Sequence, residues 1–177
     1  MYFLALLPPP GIQRDIRSFK LEMKDRFHTK NALRLPAHIT LQIPFRIPME
    51  EEGLLQRRLA GVARGTIPFE VRLFGFGCFK PGVIFVNISN PEPIVELHRR
   101  ISFGIKGIEG LITKENELRI HPHINIASRD LTKENFDTAW KEFREREFFA
   151  DFLADHFCLF RHNGKTWHLA GQYFLRQ

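Results

Sequence analysis

The sequence predicts an α+β fold with two pseudo-symmetric lobes, each an antiparallel sheet backed by helices, around a central cleft. One observation is a repeated motif, His38-Ile39-Thr40-Leu41 and His123-Ile124-Asn125-Ile126, whose copies lie 85 positions apart in a chain of 177 residues. Another is that the elements predicted around each copy follow the same order: helix, motif strand, helix and hairpin. Since 177 residues with 44% hydrophobic content suit one core, we expect residues 1–177 to form a single two-lobed domain.

The first half of the chain contains all the elements of this order. Residues 2–7 form a short apolar strand, and after three prolines a helix is predicted to about residue 30, because apolar residues recur at steps of three and four. Residues 35–45 alternate as a strand through the first motif, a weaker helical pattern covers 51–63, and strands over 69–79 and 83–88 form a hairpin. The residues predicted to face the core from the first helix are Ile12, Ile16, Phe19, Met23 and Phe27.

The second half repeats the pattern. A helix is predicted from Pro91 to about Ile105, and residues 118–127 carry the second motif. Thr132 is the predicted N-cap of a further helix, since a threonine hydroxyl accepts a hydrogen bond from the first turn. Strands over 156–161 and 166–175 complete the chain, joined by a tight turn containing Asn163-Gly164.

Each motif presents an imidazole and a small hydrogen-bonding side chain on one side of a strand. Residues i and i+2 of a strand share a face, so His38 and Thr40 point one way while the flanking aliphatic residues point the other. His123 and Asn125 repeat this arrangement. Two such strands that faced each other would bring together the groups needed for two-histidine acid–base chemistry on a phosphoester.

The paired motifs resemble those of the two-histidine phosphoesterase superfamily, which includes the bacterial 2′-5′ RNA ligase and cyclic phosphodiesterase proteins. That pattern is His, any residue, Thr or Ser, then an apolar residue, twice. The resemblance implies metal-independent hydrolysis of 2′,3′-cyclic phosphates to phosphomonoesters, with reversible 2′-5′ RNA ligation as a further activity. It assigns catalysis to His38 and His123 and phosphate binding to Thr40 and Asn125, with no metal or other cofactor. Asn125 departs from the pattern, because Thr or Ser is expected there.

Two other interpretations remain open from the sequence. The departure at Asn125 and the net charge of +6 are consistent with a catalytically weak or inactive member of the fold that binds RNA or nucleotides. A metal hydrolase is the other alternative, because His121, His123 and His38 are enough residues for a three-histidine zinc site. No Asp or Glu accompanies either motif closely, and such a site would leave Thr40 without a role.

Charge and cysteine content indicate the partners and the compartment. The sequence pI of about 9.6 favours polyanionic partners, and the resemblance implies that the partner is RNA or a nucleotide with a 2′,3′-cyclic phosphate end. Cys78 and Cys158 fit no metal-binding spacing and are expected to be free thiols in the reducing cytoplasm. The apolar run over 2–7 is too short to span a membrane, so we expect no membrane association, and a monomer is the simplest state.

Overall fold

The computed structural model describes residues 1–113 and 120–176. The described residues form eight β-strands and four α-helices, with short 3₁₀ turns at Asn31–Arg34 and Met49–Glu51. In chain order, the elements are β1 (Tyr2–Leu6), α1 (Pro10–Phe27), β2 (Ile39–Phe45), α2 (Glu52–Arg64), β3 (Phe69–Phe79), β4 (Val83–Ile88), α3 (Glu92–Ile105), β5 (Ile124–Ala127), α4 (Lys133–Phe143), β6 (Phe149–Ala154), β7 (His156–His162) and β8 (Trp167–Phe174).

The strands form two antiparallel four-stranded sheets, which confirms the predicted fold class. The sheet of the first lobe has the order β2-β1-β7-β8 and packs against α2 and α3. The sheet of the second lobe has the order β5-β4-β3-β6 and packs against α1 and α4. The two motif strands, β2 and β5, are edge strands of different sheets.

The two halves of the chain exchange their hairpins. The β3–β4 hairpin belongs to the first half of the sequence, yet it pairs with β5, the strand of the second motif. The β7–β8 hairpin belongs to the second half, yet it pairs with β1 in the sheet of the first motif. Each lobe is therefore built from both halves, and neither half of the chain contains a complete sheet.

Strand alternation separates a helix-covered face from an uncovered face in both sheets. In β1, Leu4 and Leu6 lie in the main core under the helices, whereas Phe3 and Ala5 form a separate cluster on the opposite face. In β4, the core residues Ile84 and Val86 flank Phe85, which points to the other side. The uncovered faces are consequently lined by aromatic side chains. Four residues of the predicted face of α1 are buried, namely Ile12, Ile16, Met23 and Phe27, and Phe19 packs against them partly buried.

Several element bounds differ from those predicted, and each difference has a local cause. Helix α1 ends at Phe27 because His28 adopts a left-handed conformation (φ 57°) as its C-cap. Residues 31–34 form a 3₁₀ turn, so the strand predicted from residue 35 begins only at Ile39. Strand β5 begins at Ile124, and positions 118–119 of the predicted strand lie outside the described residues.

One strand was missed, and two local signals were confirmed. Strand β6 was not predicted, because it is an edge strand whose apolar residues lie partly on the exposed side, and pairing with β3 establishes it. Thr132 caps α4 as predicted, accepting a hydrogen bond from the Asn135 backbone N–H. Gly164 adopts φ +99° in the predicted turn between β7 and β8.

Cys78 and Cys158 are free thiols, as predicted, and Cys158 is buried while Cys78 is half-buried. Within the two described ranges, every helix is too short or too polar to cross a membrane.

An ion-pair cluster joins α1 to the end of α4. Glu22 accepts two hydrogen bonds from Arg146, both at 2.7 Å, and one from Arg26 at 2.6 Å. These bonds, with Arg146 contributing most, lower the pKa of Glu22 to about 2. The cluster therefore fixes two helices that back the same sheet.

We expect Glu22→Gln to lower the free energy of unfolding by about 1–2 kcal/mol at pH 7, because the charged hydrogen bonds are lost. The folded-state pKa is depressed, so this contribution is present above the unfolded pKa near 4.5 and is lost as the pH falls through 2. Urea denaturation of wild type and variant at pH 5 and pH 2 measures the difference. Glu145→Gln, at an exposed ion pair, is the matched control, and a stability gap that does not narrow with acid would contradict the assignment.

Candidate active site

Both histidines sit immediately before a motif strand, and the predicted alternation is present around each. Ile39 and Leu41 are fully buried, whereas His38 and Thr40 are half-buried on the other side. In the second motif, Ile124 and Ile126 are buried, whereas His123 and Asn125 are half-buried. In each motif the aliphatic residues thus anchor the strand in the core, while the two polar side chains remain partly accessible to a bound molecule.

Each imidazole is held by a hydrogen bond to the backbone carbonyl two residues before it. Nδ1 of His38 lies 2.9 Å from the carbonyl oxygen of Pro36, and Nδ1 of His123 lies 2.6 Å from that of His121. A carbonyl oxygen only accepts, so Nδ1 carries the proton in both rings. The other ring nitrogen, Nε2, is therefore the one that can exchange a proton with a bound molecule.

The surroundings of both rings disfavour their charged forms. Burial lowers the pKa of His38 to about 4, and the positive charges of Lys20 and His123 contribute, whereas the Pro36 carbonyl opposes the shift. Burial also lowers the pKa of His123, and the His121 carbonyl and the Asn125 side chain partly oppose it. Both imidazoles are consequently neutral at pH 7 in the free protein.

Thr40 and Asn125 occupy equivalent positions beside the two rings. Each follows its histidine by two residues on the same side of the strand. The Oδ1 atom of Asn125 is buried and accepts no well-formed hydrogen bond from any described residue. A buried amide oxygen without a donor is costly, so this polar group is suited to a bound partner that supplies or reorients its hydrogen bonds.

Aromatic side chains form an apolar wall around His123. The ring centroid of Phe85 lies 4.8 Å from that of His123, and Phe79 lies at 5.2 Å. Phe85 occupies its position because Gly77 pairs with it across the strands, and a Cβ atom there would lie only 2.4 Å from the Phe85 ring. Neither Phe79 nor Phe85 was predicted from the sequence to lie at the site. A glycine inside a predicted strand, such as Gly77, signals such a close approach.

A second aromatic wall adjoins His38. The Phe3 ring lies 5.6 Å from His38 and stacks on Phe160 at 4.7 Å. Trp167 contacts Phe3 edge-on at 4.6 Å and is half-buried. These residues belong to the cluster on the uncovered face of the first sheet, so both imidazoles are flanked by apolar surface that limits their hydration.

His121 contributes its main chain to the site. Its side chain is exposed, with its ring centroid 6.1 Å from that of His123, and its carbonyl oxygen holds His123. Within residues 1–113 and 120–176, no three His, Cys, Asp or Glu side chains are grouped as a metal site requires. The three-histidine zinc alternative therefore has no support from the described side chains.

Curated relatives of this chain are named as predicted phosphoesterases. One from Bacillus cytotoxicus is 27% identical over 150 residues, covering 83% of each chain. Another, from Geobacillus kaustophilus, is 25% identical over 160 residues, covering 89% of this chain and 86% of its own.

Solved structures share the fold across nearly the whole chain. A protein of Thermus thermophilus superimposes with a TM-score of 0.76 at 21% identity, covering 99% of this chain and 97% of its own. LigT of Escherichia coli in its apo form gives a TM-score of 0.70 at 19% identity, with coverage of 99% and 97%. These similarities establish the two-lobed architecture.

The sequence model of one protein family matches residues 8–166, a region that contains both motifs. The match covers most of the chain and agrees with the fold of the solved relatives. The chain belongs to the 2′-5′ RNA ligase superfamily, as the paired motifs predicted.

Proposed function

We propose that this protein hydrolyses 2′,3′-cyclic phosphates to phosphomonoesters by metal-independent, two-histidine general acid–base catalysis. The observation that carries the proposal is that His38 and His123 are held by equivalent hydrogen bonds. Each donates Nδ1–H to the carbonyl two residues before it, leaving Nε2 to exchange protons. The phosphoesterase names of the relatives support the reaction class.

In the proposed reaction, one neutral Nε2 removes a proton from water as the water oxygen attacks phosphorus. The bond from phosphorus to one ribose oxygen breaks, and the protonated second imidazole gives its proton to that oxygen. Thr40 and Asn125 donate hydrogen bonds to the non-bridging oxygens as their charge increases. With the 5′-hydroxyl of a second RNA end as nucleophile in place of water, the P–O3′ bond of the cyclic phosphate breaks, the 3′ oxygen takes the proton of the second imidazole, and a 2′-5′ linkage remains.

Substrate binding supplies the charge that the acid needs. The shift of His38 from 6.5 to about 4 corresponds to about 3 kcal/mol against its protonated form. A phosphate anion about 4 Å from an imidazolium returns roughly 4 kcal/mol at an effective dielectric constant near 20. These two magnitudes are comparable, so the bound diester can stabilise one protonated ring at a pH where both are neutral in the free protein.

We propose RNA ends or nucleotides as the substrate class, with residues 1–177 acting as one monomeric catalytic unit in the cytoplasm. Structures of LigT complexed with 3′-AMP and with ATP support nucleotide binding in this fold. The net charge of +6 favours a polyanionic partner. Trp167, half-buried on the same uncovered sheet face as Phe3, is an aromatic side chain suited to stacking a base.

A second candidate function is nucleotide binding with weak or no turnover. It is favoured by Asn125, which stands where the motif has Thr or Ser and whose Oδ1 would repel a phosphate oxygen if it faced one. Binding of 2′,3′-cyclic AMP without hydrolysis by the wild-type protein would select this alternative.

We expect His38→Ala and His123→Ala each to lower kcat by at least about 100-fold toward 2′,3′-cyclic nucleotides, because each removes one proton-transfer group. Initial rates are measured in EDTA, where wild-type activity should persist. His168→Ala is the control, since the strand register places His168 near the opposite end of the first sheet from His38. Full activity of His38→Ala, or loss of wild-type activity in EDTA, would refute the mechanism.

The pH dependence of kcat/KM should be bell-shaped and lie on the acid side of pH 6.5. Below about pH 4 both rings are protonated and no base remains, whereas above the lowered pKa of His123 both are neutral and no acid remains. Rates measured from pH 3.5 to 8.5 under conditions that retain the fold test this. An optimum above pH 7.5 is incompatible with the buried, neutral rings.

We expect Asn125→Thr to raise kcat about fivefold, because a hydroxyl donates to the phosphate without an opposing carbonyl, a gain of about 1 kcal/mol. The mirror variant Thr40→Asn, which gives the first motif the form of the second, should lower kcat. Steady-state kinetics of both variants provide the comparison. A fall in kcat for Asn125→Thr would show that the amide is itself required.

A further inference from the structure

The connection between α1 and β2, residues 28–37, leads to His38 but is attached to the other lobe. Asp130 follows β5 in the second lobe and accepts a hydrogen bond from the Thr29 hydroxyl at 2.5 Å. It also accepts hydrogen bonds from the backbone N–H groups of Lys30 and Asn31 at 2.9 and 3.0 Å. The start of the connection is thus tied to the strand that carries the second motif.

Lys20 makes the next attachment, from the middle of α1. Its side chain is only 4% exposed, and Nζ donates to the carbonyl oxygen of Leu35 at 3.1 Å. An ammonium group is seldom buried so completely without a defined partner. Here it holds the connection three residues before His38, and its charge acts on the His38 imidazole.

Gln13 makes the last attachment, at the residue directly before His38. Its Nε2 donates to the Ala37 carbonyl oxygen at 2.7 Å, and its Oε1 accepts from the Ala37 N–H at 2.8 Å. The amide therefore makes the pair of bonds that a neighbouring strand would provide. Sheet pairing of β2 begins only at Ile39, so these bonds fix the backbone just outside the sheet.

We propose that Gln13 is a positioning residue that sets the place of His38 relative to His123. Gln13 and Lys20 are seven residues apart on α1, so they lie on the same side of one helix. That helix also packs against β5, whose first residue follows His123. Helix α1 thus contacts the backbone next to His38 and the strand next to His123. The relative position of the two imidazoles therefore depends on one rigid helix as well as on the packing of the two lobes. This inference rests on the proposed two-histidine reaction.

The expected effect is on the chemical step. Small displacements of a catalytic group cost about 100-fold in rate when proton transfer needs close alignment, so Gln13→Leu should lower kcat about 10- to 100-fold. KM should change little, because Thr40 and Asn125 still contact the phosphate in the proposed complex. Gln56→Leu is the matched control, since Gln56 is exposed on α2 and, among residues 1–113 and 120–176, its amide bonds only its own helix neighbour Glu52.

A charged variant adds a readout that general destabilisation would not produce. In Gln13→Glu, the carboxylate still accepts from the Ala37 N–H but places a negative charge near His38. A nearby negative charge favours the imidazolium, so the acid limb of the kcat/KM profile should move to higher pH. An unchanged limb would indicate that Gln13 does not act on His38.

Two measurements that do not depend on turnover separate this inference from the proposed reaction. In Gln13→Leu the Ala37 amide should exchange with solvent at least about tenfold faster, because its acceptor is gone. Inorganic phosphate, followed by imidazole NMR, should raise the pKa of both His38 and His123 in wild type and mainly that of His123 in the variant. If the wild type does not hydrolyse cyclic phosphates, the proposed reaction is wrong. The exchange and NMR measurements still test whether the Gln13–Ala37 hydrogen bonds position His38. Unchanged Ala37 exchange, or a wild-type kcat in Gln13→Leu, overturns the role of Gln13.

Discussion

Each motif strand is completed by a hairpin from the opposite half of the chain, and the site depends on this exchange. β5 lies at the edge of a sheet whose remaining strands include β3 and β4 from the first half, and β1 pairs with β7 from the second. Crossed pairing makes the two lobes structurally interdependent. Two histidines 85 positions apart can therefore be held at a defined separation without a covalent link between their strands.

The chemistry of the site follows from burial balanced by local hydrogen bonds. Apolar contacts with Phe3 on one side and with Phe79 and Phe85 on the other limit hydration of the imidazoles and disfavour their charged forms. The backbone carbonyls that bind Nδ1 oppose this and fix which nitrogen is free. The result is a pair of rings that are neutral at pH 7 in the free protein.

The same site shows where strict spacing is required and where variation is tolerated. Gly77 leaves room for the Phe85 ring that packs against His123, so a larger residue would disturb the wall of the site. Asn125, by contrast, keeps the position and burial of its counterpart while changing the hydrogen-bonding group. Geometry is shared between the two motifs even though their hydrogen-bonding side chains differ.

Local periodicity was enough to predict much of this protein. Alternation around His38 and His123 predicted which side of each strand is buried, steps of three and four predicted the core face of α1, and Thr132 and Gly164 marked a cap and a turn. These signals depend on neighbours within a few residues, so the sequence alone determines them. The tertiary structure decided which hairpin completes each motif sheet, because both hairpins alternate alike and only long-range packing distinguishes their partners. It also decided that Gln13 pairs with Ala37 and that Gly77 accommodates Phe85, since such contacts join backbone and side chains that no sequence period relates.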